Sequence, residues 1–119
     1  MKNRNKIATA ITSLIRKTQD GAVQWKVSSR RGDSTIPANE GFDQNVYHAE
    51  IAGRVVRLYG YTRRDPADGL VEEVALEVSD ENRESWWTFP DHPAIADLLE
   101  AVKYRTVGVE QFIEKLTPD

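Results

Sequence analysis

Residues 45–61 read NVYHAEIAGRVVRLYGY, and the alternation on either side of Ala52-Gly53 constrains the fold more than any other feature of the chain. Successive strand side chains point to opposite faces. If Ala52 and Gly53 form a two-residue turn, Ala49 lies opposite Val56 and Tyr47 opposite Leu58. Both pairs are apolar and share one face, as a common register requires. The other face then pairs Glu50 with Val55, His48 with Arg57 and Val46 with Tyr59. Ala-Gly is a weaker turn signal than Asn-Gly, so the matched register carries the hairpin.

The rest of the chain is arranged around it. Ile7, Ile11, Leu14, Ile15 and Thr18 keep the spacing of an amphipathic helix that Asp20-Gly21 ends. In AVQWKVSS, Val23, Trp25 and Val27 alternate with polar residues, which predicts a half-buried strand over 22–29. Residues 30–44, rich in Gly, Pro, Asn, Asp and Ser, predict a long loop. After the hairpin, the polar RRDPADG turn leads to a strand with Val74, Leu76 and Val78 on one side, and Asp80–Arg83 turns again into SWWTF. Ile95, Leu98, Leu99 and Val102 predict a helix opened by Asp91-His92-Pro93, with Asp91 as its cap. Gly108 interrupts, and Val109, Phe112, Ile113 and Leu116 repeat the helical spacing. Three apolar helical stripes call for a sheet to cover. The reading is a two-layer α+β domain over residues 1–119: an N-terminal helix, a four- or five-stranded antiparallel sheet and two C-terminal helices.

An N-terminal helix, the Gly21-Ala22-Val23-Gln24-Trp25 strand of the form Gly-x-φ-x-Trp, a tyrosine-bearing hairpin and a C-terminal Leu98-Leu99-Glu100-Ala101-Val102 helix resemble a loose group of small bacterial proteins. The resemblance spans most of the chain and implies the fold. It brings no activity, cofactor or site residue with it.

Composition excludes several function classes. With no cysteine among 119 residues, disulfides, zinc ribbons and thiol catalysis fall away together. No apolar run approaches the ~20 residues of a membrane span, and the basic N-terminus lacks the apolar core of a signal peptide. A cytoplasmic protein without membrane association is expected. The net charge of −3 conceals a split. Residues 1–31 carry eight basic side chains against Asp20, a balance of +7, while residues 32–119 carry eight against eighteen acidic ones, a balance of −10. Such asymmetry fits either an anionic partner or a basic helix lying on its own acidic domain.

Four constellations compete for the function. Trp86 and Trp87 are neighbours, so a strand sends them to opposite faces. Trp87 shares parity with Phe89 and is expected in the core. Trp86 is expected on an open face with Val55, Arg57, Tyr59 and Tyr61, an aromatic patch of the composition favoured at protein-binding surfaces. On the first helix, Lys2, Lys6, Arg16 and Lys17 fall within an arc of about 100° and are anion-binding candidates for a phosphate backbone. His48 and Glu50 share a strand face, opposite Arg57, as a candidate acid/base or metal pair. Arg31-Gly32-Asp33 reads as a turn in a loop rather than an adhesion motif. No P-loop, GxSxG, GxGxxG or HExxH spacing occurs, so no catalytic residue, metal or cofactor is expected. The leading expectation is a non-enzymatic accessory or regulatory domain of a bacterial or phage system, binding a protein partner or a second copy through the open sheet face. A nucleic-acid binder using the basic helix and a small enzyme around His48 and Glu50 are the alternatives.

Overall fold

The computed structural model describes residues 2–29 and 45–117, with side chains from Asn5 onward in the first helix. The chain order is α1 (Lys2–Gln19), β1 (Lys26–Ser29), β2 (Asn45–Ile51), β3 (Arg54–Asp65), β4 (Gly69–Ser79), β5 (Trp86–Thr88), α2 (Pro93–Val107) and α3 (Val109–Leu116). The five strands form one antiparallel meander in the order β1-β2-β3-β4-β5.

The central hairpin has the register read from the sequence, from Val46↔Tyr59 through Tyr47↔Leu58 and Ala49↔Val56 to Ile51↔Arg54. Ala52 and Gly53 both have positive φ, 53° and 80°, as the two-residue turn that matches strand twist demands. Beneath α1 and α2, Tyr47, Val56, Leu58 and Leu76 pack with Ile11, Ile95, Leu98, Leu99 and Val102 in one core. Leu14, Ile15, Trp25 and Phe89 close its rim.

Helix α1 stops on a hydrogen-bonded reversal at Gly21, whose φ is 77°. The Ala22 N–H donates to the Lys17 carbonyl at 2.9 Å and the Gly21 N–H to Thr18 at 3.1 Å, the paired bonds of a glycine-terminated helix. This turn holds residues 22–25 against the end of α1, so the first strand starts at Lys26 and not at Ala22. Trp25 is drawn inward: its indole Nε1–H donates to the Thr18 hydroxyl at 3.0 Å, and that hydroxyl donates to the Leu14 carbonyl. Val27 consequently stands on an edge strand in solvent.

The β3–β4 hairpin is longer than the polar RRDPADG segment suggests. Only Pro66, Ala67 and Asp68 leave the ladder, because Asp65 Oδ1 accepts the Ala67 and Asp68 N–H groups at 2.8 and 3.2 Å and Gly69 takes φ 75°. Helix α2 is capped by His92 and not by Asp91. The His92 Nδ1 accepts the Ala94 N–H at 3.0 Å. Pro93 at the first helical position holds its predecessor in extended backbone, which makes His92 the capping residue.

The largest departure is α3. Gly108, left-handed at φ 77°, ends α2 and starts α3, and the chain turns away from the sheet. None of α3's residues is buried. The third apolar stripe therefore does not cover the sheet.

Candidate functional site

The face of the sheet opposite the helices gathers the expected residues. Register places Val55, Arg57, Tyr59 and Tyr61 on it through β3, and Trp86 beside them through its pairing with Ser79. Trp87 pairs with Val78 and takes the helix side. The two tryptophans thus diverge as strand parity requires.

Their surroundings differ from expectation. Trp87 is 51% exposed. It sits on a three-residue edge strand beyond the reach of α2, edge-on to Phe89 with ring centroids 5.0 Å apart. Phe89 alone of the pair joins the core. Trp86 is half-buried, and the Arg57 guanidinium lies 3.8 Å from its ring centroid, well inside cation–π range.

Arg57 is the centre of this face. It is 3% exposed, and its Nε–H donates to Glu77 Oε1 at 2.6 Å. The other Glu77 oxygen accepts from the Thr88 hydroxyl at 2.7 Å. A charged pair taken out of water needs further hydrogen bonds, and Thr88 on β5 supplies one to Glu77. Beside it, Val46, Tyr59, Ala75 and Tyr61 form a second apolar cluster. Arg57 and Tyr59 are more deeply buried than an open aromatic patch would leave them. The face is a second packed surface, with Val55, Tyr61 and Trp86 half-buried at its margin.

Toward the Pro66 end of β3, the Tyr61 hydroxyl donates to Glu73 Oε2 at 2.7 Å and Arg63 Nε–H to Glu73 Oε1 at 2.6 Å. Burial first, and then the Glu73 carboxylate, push the Tyr61 phenol up to about 12. The same two donors hold Glu73 below the usual carboxylate range, Tyr61 contributing most.

His48 and Glu50 line a common groove of about 780 Å³ with Lys17, Lys26, Val55 and Arg83, but each has its own partner. His48 Nε2 lies 2.7 Å from the Ser28 hydroxyl, and Glu50 accepts from Arg83 at 2.5 Å. They are not hydrogen-bonded to each other. Lys6, Arg16 and Lys17 lie exposed on α1, with Lys17 at the edge of that groove, and form no ion pair among the described residues. Arg16 and Lys17 occupy the last turn of α1, where positive charge offsets the helix dipole. The Lys2 side chain, residues 30–44 and Arg31-Gly32-Asp33 lie outside the described residues. Among the described residues no group of three or more acidic or histidine side chains is placed to hold a metal, and no helix is long and apolar enough to cross a membrane.

Sequence reasoning missed two things. Glu77 as the partner of Arg57 was readable by extending the β3–β4 ladder outward from Asp65↔Gly69, which sets Arg57 against Glu77. The exposed apolar surface on α3 was not readable from periodicity. Phe112 is 61% exposed, Ile113 46% and Leu116 62%, with Val107 and Tyr104 exposed just before them. Comparison with protein-family models, curated proteins and solved structures found no match.

Proposed function

We propose that this chain is a non-enzymatic protein-binding domain, accessory or regulatory in role, and that α3 is its contact element. The observation that carries the reading is an amphipathic helix whose apolar side chains at 112, 113 and 116 stand about half or more in solvent. Apolar area left in water is unfavourable by ~25 cal/mol per Å², and contiguous exposed patches mark interaction surfaces. The occupant is an apolar groove on a second protein. Eight residues make a helix of about 12 Å, too little to reach the ~1,200 Å² that a stable dimer buries, but the right kind of element to insert into a groove. The sheet face supports this role from within: its buried Arg57–Glu77 pair and stacked Trp86 serve the fold.

Replacing Phe112 and Leu116 together by Ser tests the reading. The variant is expected to fold like the parent but to lose a partner that the tagged parent retains. A photo-crosslinker at Ile113 is expected to join α3 to that same partner. A variant that keeps the partner, or a crosslink that maps only to a second copy of this chain, contradicts the proposal.

A further inference from the structure

The outer edge of β4 is open along most of its length. β4 runs from Gly69 to Ser79, yet β5 pairs only with Glu77, Val78 and Ser79. One more bond follows, from the Phe89 N–H to the Leu76 carbonyl at 2.8 Å. Pro90 comes next, and the chain leaves the ladder for α2.

The Leu76 bond fixes which backbone groups face outward. In an antiparallel strand a residue's N–H and C=O point to the same side, and alternate residues share that side. Leu76 addresses β5, so Val74, Glu72 and Leu70 direct their N–H and C=O groups to the same outer edge. Among the described residues no strand pairs with them there. Such a row is a template for another strand, and proteins blunt it with charge or cover.

The cover is partial and the charge is one-sided. A groove of about 310 Å³ runs beside the edge between β4 and the start of α2, lined by Glu72, Val74, Asp91, Pro93 and Ile95. Glu72 and Asp91 are exposed, and neither has an ion-pair partner among the described residues. Glu73 adds a third carboxylate to the lining, itself held by Tyr61 and Arg63. A second copy of this chain does not suit the edge: β4 against β4 around a two-fold centred on the open segment sets Glu72 against its own copy, and like charges opposite one another are unfavourable.

We propose that the outer edge of β4, from Leu70 to Val74, takes up an extended, lysine- or arginine-bearing peptide segment by strand addition. Main-chain bonds to Leu70, Glu72 and Val74 supply the binding, the groove beside Val74 and Ile95 accepts an apolar side chain, and Glu72 and Asp91 select for positive charge. The site is separate from α3, so either proposal stands without the other.

The probe is the acetylated, amidated heptapeptide Lys-Val-Lys-Val-Lys-Val-Lys, beside its glutamate counterpart, titrated into the full chain and followed by amide NMR and hydrogen exchange. The lysine peptide is expected to protect the Glu72 and Val74 amides, and the glutamate peptide is expected to leave them unchanged. Glu72→Pro removes one outward N–H without touching the β3 ladder. With the lost charge and bond together, affinity is expected to fall roughly tenfold or more. Should that variant fold poorly, Glu72→Gln keeps the backbone and is expected to weaken binding by a smaller factor, with the difference vanishing at high salt. Equal binding of both peptides, or protection confined to amides other than Leu70, Glu72 and Val74, overturns the proposal.

Discussion

Helices α2 and α3 are neighbours separated by one residue, and both carry apolar side chains at helical spacing. Their fates are opposite. α2 buries Ile95, Leu98, Leu99 and Val102 against the sheet and α1, while no residue of α3 is fully buried. The difference lies in Gly108. Its left-handed conformation, with the N–H satisfied by Tyr104 and Arg105 carbonyls, ends the helix that follows the sheet and points the next one elsewhere. Amphipathic periodicity says that a helix has a face to hide; it does not say whether the same chain hides it.

The comparison is sharpest in the core. Leu98→Ala is expected to destabilise the fold by ~2–5 kcal/mol in chemical denaturation, the usual range for a fully buried leucine. Leu98 is 0% exposed. A loss as small as that expected in α3 would mean that α2 is not the helix holding the sheet.

Trp86→Ala ranks next, and it tests the other face of the same sheet. Removing the ring uncovers Arg57 and Glu77, a buried pair whose closure depends on its neighbours. A loss of about 2 kcal/mol is expected, larger than for Trp87→Ala, since Trp87 is half in water. The reverse order in thermal melts would show that Trp87, and not Trp86, is the packed tryptophan.

Gly108→Ala acts on the junction itself. A Cβ at φ 77° costs on the order of 1–2 kcal/mol, which the chain escapes by extending α2 through residue 108. An increase in helicity by circular dichroism, with the apolar stripe of α3 re-aimed, is the expected signature. Unchanged stability and helicity would mean that the junction is not set by glycine.

The smallest effect expected is that of pH. Glu73 is held below its ordinary range, so its contribution is present at neutral pH and fades as pH falls through its native value. The Tyr61 phenol, raised to about 12 from 10.0, contributes below pH 10 and loses that contribution as pH rises toward 12. Both groups belong to the β3–β4 hairpin, so at either extreme amide exchange should quicken there before it does in α2. Simultaneous loosening of α2 would show that the hairpin and the helix are one cooperative unit.

What the sequence revealed follows the reach of each physical rule. The β2–β3 register was legible because a two-residue turn and period-two alternation leave one solution, and the same parity separated Trp86 from Trp87. Burial was less legible. Parity assigns a face, but depth depends on where the sheet ends, and β5 at the edge leaves Trp87 in solvent. β1 was read too long because Val23 and Trp25 alternate like strand residues, whereas the Gly21 reversal binds them to α1. The depth of Arg57 was not legible for a related reason: β3 read alone does not show Glu77 and Thr88 arrayed beside it.

The most direct test of the account is the stability of the Phe112→Ser, Leu116→Ser double variant in urea. Because both side chains are more than 60% exposed, the account predicts a folding free energy within ~1 kcal/mol of the parent, as for surface positions. A loss of several kcal/mol would place α3 in the core and leave no free face for a partner.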